Sequence, residues 1–130
     1  MPHLIIEHSA NVAAVADIAG LVDAVHLAAL ATGVAPLDAL RTRAASREHF
    51  AIGDRHPDNM FVALTARLGA GRSDDDKAVF VRAMMDALTD YLGEARQLRG
   101  RRGAVLVEGA GGCHASSFVR PVRPCRFVRR

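Results

Sequence analysis

Aromatic side chains make up only 5% of this 130-residue chain, and tryptophan is absent. So few flat rings leave little on which nucleic-acid bases could stack, and specific nucleic-acid recognition is not expected. Cysteine is equally sparse. Cys113 and Cys125 are the only two, which is too few for a disulfide framework or a structural zinc site. The six histidines contain no HExxH pair, so no metal site is expected. No stretch approaches the roughly 18 consecutive apolar residues of a membrane span, and the start lacks a basic segment followed by a long apolar one. The expectation is a soluble, cytoplasmic chain with no membrane partner. Neither a G-x-S-x-G elbow nor a Walker phosphate loop occurs, because the GAG triplet at 69–71 has neither the lysine nor the spacing.

Charge is present but unevenly placed. Residues 1–95 hold 8 Lys and Arg against 13 Asp and Glu, a balance of −5, whereas residues 96–130 hold 9 Arg against Glu108 alone, a balance of +8. The net charge of +3 conceals this split. A mildly acidic body thus carries a basic end able to attract a polyanion. The length suits one domain that would gain from association. We place that domain at residues 1–108 and an atypical Arg- and Pro-rich tail at residues 109–130.

Hydrophobic patterning divides the body in two. Leu4, Ile5 and Ile6 make a short strand running to His8. Asp17 is placed to cap a helix in which Leu21, Val25 and Ala28 recur at helical spacing with Val22 and Ala29 beside them; Gly33 stops it and Pro36 prevents resumption. LDALRTRAA reads as an extended segment, and GDRHPDN as a turn. MFVALTARL then has the content of a strand, with Phe61, Ala63 and Thr65 on one face and Val62, Leu64 and Ala66 on the other. Ser73 caps a second helix predicted from Asp74 to Leu98, with Asp74, Asp75 and Asp76 in its first turn and Phe80, Ala83, Met84, Ala87, Leu88 and Tyr91 buried. Gly100 or Gly103 ends it, and AVLVE is a last strand.

Two strand–helix–strand halves imply an α+β fold: a four-stranded main sheet with two helices on one face. The other face then needs a cover. Oligomerisation through the sheet would supply it.

Three arginines stand where they could hold carboxylates. Arg41 and Arg43 lie two apart in the extended segment and share a face if it is a strand. Arg72 directly precedes a helix N-terminus, and guanidinium groups grip carboxylates through paired hydrogen bonds. Pro2 poses a different question. Proline is tolerated as the first residue of a strand, where no ladder bond is lost. If Met1 is removed, however, its nitrogen becomes a free secondary amine. An ordinary α-amino group titrates at about 7.7–8.0, and burial or nearby cations lower that value, leaving an uncharged base near neutrality. His3 is of interest for its place beside Pro2.

The run MPHLIIEHSAN, then ATGVAPL, LRTR and GAGRS, in that order, resembles the 5-carboxymethyl-2-hydroxymuconate isomerase family of the tautomerase superfamily over residues 1–98. After Gly103 the likeness fades. The resemblance implies two β-α-β units per subunit, a homotrimer and no cofactor. It implies that Pro2 is the catalytic base and that Arg41 and Arg72 are catalytic, with Arg43 and His3 binding substrate. The substrate would be a small polycarboxylate dienol, ketonised in aromatic degradation. Such a reaction needs a base matched to the operating pH and positive charge where oxygens and carboxylates sit. Two alternatives stand beside this reading: a tautomerase of another enol, such as 2-hydroxymuconate or an arylpyruvate, and a nonenzymatic oligomeric module whose basic tail binds a polyanion.

Overall fold

The structure is a computed structural model that describes residues 1–94 and the backbone of residues 103–110. Its elements run β1 (His3–Ser9), a short 3₁₀ turn (Ala10–Ala14), α1 (Ile18–Ala31), β2 (Arg41–Arg47), β3 (Met60–Arg67), α2 (Asp74–Glu94) and β4 (Gly103–Ala110). The strands form one sheet in the order β2-β1-β3-β4. β1 and β2 are parallel, as are β3 and β4, while β1 and β3 run antiparallel. Each helix is therefore the crossover of a parallel pair, as the expected halves require. The α+β expectation holds.

Local chemistry explains the helix limits. The Asp17 carboxylate accepts a hydrogen bond from the Ala19 N–H at 3.1 Å and so satisfies a donor that the first turn of α1 leaves free. At the other end Gly33 adopts φ +70°, a left-handed conformation that ends the helix at little cost for glycine. Ser73 caps α2 by accepting from the Asp76 N–H at 3.1 Å. Asp74, Asp75 and Asp76 fill its first turn, where the helix dipole favours negative charge. Residues 95–98 of the predicted second helix, and residues 111–130 of the tail placed at 109–130, lie outside the described residues, while residues 109 and 110 belong to β4.

The core sits between the helices and one face of the sheet. Leu4 and Ile6 of β1 and Val62, Leu64 and Ala66 of β3 meet Leu21, Val25 and Ala29 of α1 and Phe80, Met84 and Leu88 of α2. Alternation along β3 follows the expected pattern, with Phe61, Ala63 and Thr65 only half-buried on the opposite face. The buried face of α2 is wider than the single stripe read from sequence. Val81 and Met85 are buried, while Ala83, Ala87 and Tyr91 are only partly so. α2 packs on α1 as well as on the sheet, and a helix wedged between two neighbours buries more than one row.

Two local features depart from the sequence reading. Leu37–Leu40 is a turn and not the start of a strand, because the Ala39 and Leu40 amides both bond back to the Pro36 carbonyl at 3.2 Å. Extended structure begins only at Arg41. The 3₁₀ turn after β1 was not anticipated; it buries Val12 completely.

Candidate active site

The sheet register gathers the candidate residues at one end. His3 of β1 lies opposite Arg41 of β2 on one side and Arg67 of β3 on the other. The start of β1, the start of β2 and the end of β3 thus meet there, and the GAGRS loop leaves from that same end of β3. Three separated stretches of sequence converge because the two parallel pairs are joined antiparallel through β1 and β3.

Pro2 heads β1 and is buried, although Met1 before it is 67% exposed. Its carbonyl accepts a hydrogen bond from the Arg41 N–H at 3.0 Å, which fixes the proline against the first residue of β2. The missing proline N–H costs the sheet nothing at this position. By strand alternation Pro2 falls on the helix side with Leu4 and Ile6, whereas His3 falls on the open side.

Arg41 and Arg43 share that open side, as their spacing predicts. Both are exposed. Arg41 folds back on its own turn, its Nη1 donating to the carbonyls of Asp38 at 2.9 Å and Leu40 at 3.1 Å. Arg43 reaches across the strands, and its Nη1 lies 3.2 Å from His3 Nδ1. A guanidinium can only donate, so the imidazole accepts at that nitrogen. The two residues expected to bind substrate are brought into direct contact.

Arg72 is held differently. Gly71 turns the chain with φ +93°, a conformation that suits glycine alone among common residues. The half-buried Arg72 then donates from Nε to the Val34 carbonyl and from Nη1 to the Gly69 carbonyl, each at 3.1 Å. Its Nη2 has no protein partner among the described residues. The loop after α1 and the loop after β3 therefore clamp the guanidinium through two of its three nitrogens. Arg72 shares the end of the sheet with the other four residues but forms no hydrogen bond with them.

Sequence reading overlooked Arg67. It sits opposite His3 in register, exposed, and its side chain makes no hydrogen bond or ion pair among the described residues. The signal was present in the two-residue alternation of β3, which sets Arg67 on the same face as Thr65. With it, four guanidinium groups stand at one end of the sheet. Such a cluster favours a ligand bearing several carboxylates, since each guanidinium can form paired, charge-assisted bonds. Among the described residues, no group of three or more His, Cys, Asp or Glu could hold a metal ion, and no helix is long and apolar enough to cross a membrane.

Comparison with known proteins identifies the fold and the family. The family model for 5-carboxymethyl-2-hydroxymuconate isomerase matches residues 2–101. A 5-carboxymethyl-2-hydroxymuconate Delta-isomerase of Escherichia coli is 38% identical over 73 residues, which are 56% of this chain and 58% of the relative. The match thus spans little more than half the length of that curated relative. A solved 5-carboxymethyl-2-hydroxymuconate isomerase from Deinococcus radiodurans R1 superimposes with a TM-score of 0.75 at 27% identity, covering 89% of this chain and 90% of that one. A solved 5-carboxymethyl-2-hydroxymuconate delta-isomerase gives a TM-score of 0.78 at 24% identity, covering 90% of this chain and 86% of that one, a likeness of fold. With its α+β tautomerase fold and a family match across most of its length, the chain belongs to the 5-carboxymethyl-2-hydroxymuconate isomerase family.

Proposed function

We propose that the protein is a cofactor-independent isomerase that ketonises 5-carboxymethyl-2-hydroxymuconate, with Pro2 as its base once Met1 has been removed. The unprotonated proline nitrogen takes the proton from the enol oxygen and returns it to a carbon further along the conjugated system. The enol oxygen becomes a carbonyl and the double bonds shift, so no oxidant or reductant is consumed. Arg41 and Arg72 stabilise the negative charge on the enol oxygen and carboxylates, while Arg43 and His3 bind the substrate. The same cations favour the neutral form of the proline.

The observation that carries this reading is the buried Pro2, tied by its carbonyl to the Arg41 amide at the end of the sheet where the arginines collect. Family membership supports it independently. A homotrimer formed over the open sheet face accompanies the proposal, since Ile5, Phe61, Ala63 and Thr65 are only half-covered there. The polyanion-binding alternative draws on the basic tail alone and leaves Pro2 and Arg72 without a role.

Intact mass together with the rate of dienol loss in the ultraviolet tests the proposal. The active protein should lack Met1 and prefer the substrate carrying the carboxymethyl group. Pro2→Ala keeps a primary amine, so it should retain reduced activity with an altered pH profile. An unchanged rate and profile would remove Pro2 from the mechanism, and preference for a dienol lacking the carboxymethyl group would reject the substrate assignment.

A further inference from the structure

Thr42 stands between the two arginines of β2, and strand alternation turns its side chain away from theirs and toward α1. There His26 places Nδ1 2.8 Å from the Thr42 Oγ1, in a partly buried contact. Among the described residues this is the one side-chain hydrogen bond between α1 and β2.

The ladder with β1 and the Arg43–His3 and Arg47–Glu7 contacts hold β2 from the side of β1, but toward the helices it has little else to hold it. It is an edge strand, paired only with β1, and none of its residues is buried. Apolar packing on the core comes from Ala44 alone. In register Thr42 lies opposite the fully buried Leu4, so the contact acts one residue beyond the bond that joins Arg41 to Pro2. A small shift of β2 would move Arg41 and Arg43 together. We infer that His26 is a positioning residue that acts through Thr42 to set where β2 holds Arg41 and Arg43 relative to Pro2, and hence how the polycarboxylate is gripped. This rests on the isomerase reading given above.

The physical case turns on replacement. Valine at position 42 would match threonine in shape yet leave the His26 nitrogen, already partly desolvated, without its partner. Serine would keep the hydroxyl. Asparagine at position 26 would present a short polar group close to where Nδ1 now sits.

Steady-state kinetics on 5-carboxymethyl-2-hydroxymuconate, run well below the unfolding temperature of each variant, provide the test. Thr42→Val and His26→Leu should lower kcat/KM roughly tenfold, mostly through KM, short of the about 100-fold that a 1 Å misplacement can cost. Thr42→Ser and His26→Asn should restore it to within about twofold. When Arg41 and Arg43 are already alanine, Thr42→Val should cause no further loss. Wild-type kcat and KM in Thr42→Val, or a loss that adds in full to that of the arginine variant, would overturn the inference. If the unaltered protein fails to isomerise the substrate, the isomerase reading falls by itself. Amide hydrogen exchange then decides the positioning: Thr42→Val should accelerate exchange across Arg41–Arg43 and Thr42→Ser should not, and equal exchange in both would overturn it.

Discussion

The two β-α-β units share one topology but divide the work unequally. The first contributes Pro2, His3, Arg41 and Arg43, and its helix buries Leu21, Val25 and Ala29. The second contributes Arg72 alone among the expected residues, yet its helix buries Phe80, Val81, Met84, Met85 and Leu88, and its strand β3 buries Met60, Val62, Leu64 and Ala66. The contrast is sharpest between the strands. β2 reads RTRAASR with no buried residue, whereas every second position of β3 is buried. β2 is a charged edge strand with little apolar surface, whereas β3 keeps one wide buried face and sets only Arg67 at the cluster on the other, so the second unit supplies most of the packing.

That division can be broken most forcefully at Phe80, the largest fully buried side chain among the described residues. Phe80→Ala should lower the unfolding free energy by about 3–5 kcal/mol, read from urea denaturation, against about 2 kcal/mol for Val25→Ala in α1. Equal losses would remove the asymmetry. Next in size, Arg72→Ala should reduce kcat/KM by about 100-fold, or ~2.7 kcal/mol, as expected when one preorganised donor is lost from a site of developing negative charge. Stability should hardly change, because the side chain is half-exposed and bonds only loop carbonyls. Wild-type kinetics would refute its assignment.

A smaller effect is expected at the interface of the two units. Tyr91 donates its hydroxyl to the Asp17 carbonyl at 2.9 Å, and a Cβ on Gly20 would fall 2.2 Å from that hydroxyl oxygen. Gly20→Ala should therefore displace the Tyr91 ring and cost about 1–3 kcal/mol in thermal or chemical unfolding, partly offset by the better helix propensity of alanine. An unaltered midpoint would show that the tyrosine tip moves aside freely. Smallest of all, Asp17→Ala removes the α1 cap and should cost about 1 kcal/mol with no change in turnover. A fall in turnover would place α1 closer to the chemistry than its cap suggests.

Much of this was legible before any fold was seen. Helix caps at Asp17 and Ser73, the stop at Gly33 and the alternation of β3 are local properties, set by a few consecutive side chains and backbone donors. Pro2, Arg41 and Arg72 stood out only through the family resemblance of the runs around them, since local pattern by itself left each open to a structural or surface role. What stayed hidden depended on neighbours distant in the chain. Val81 and Met85 are buried because α2 meets α1 as well as the sheet. Arg67 joins the cationic cluster because antiparallel pairing sets it opposite His3. No spacing within β2 or α1 announces that His26 and Thr42 will meet.

The amino-acid sequence by itself determined the main strands and helices, their order and the groups they bring: a proline at the head of a strand and guanidinium groups on an extended segment and at a helix entrance. Periodicity and capping act over a few residues and require no fold. Only the tertiary structure decided that these groups share one end of the sheet, with Arg43 on His3 and Arg72 clamped between two loops. Strand register and the antiparallel joining of the two units are long-range pairings, and proximity between residues dozens of positions apart exists only once those pairings form.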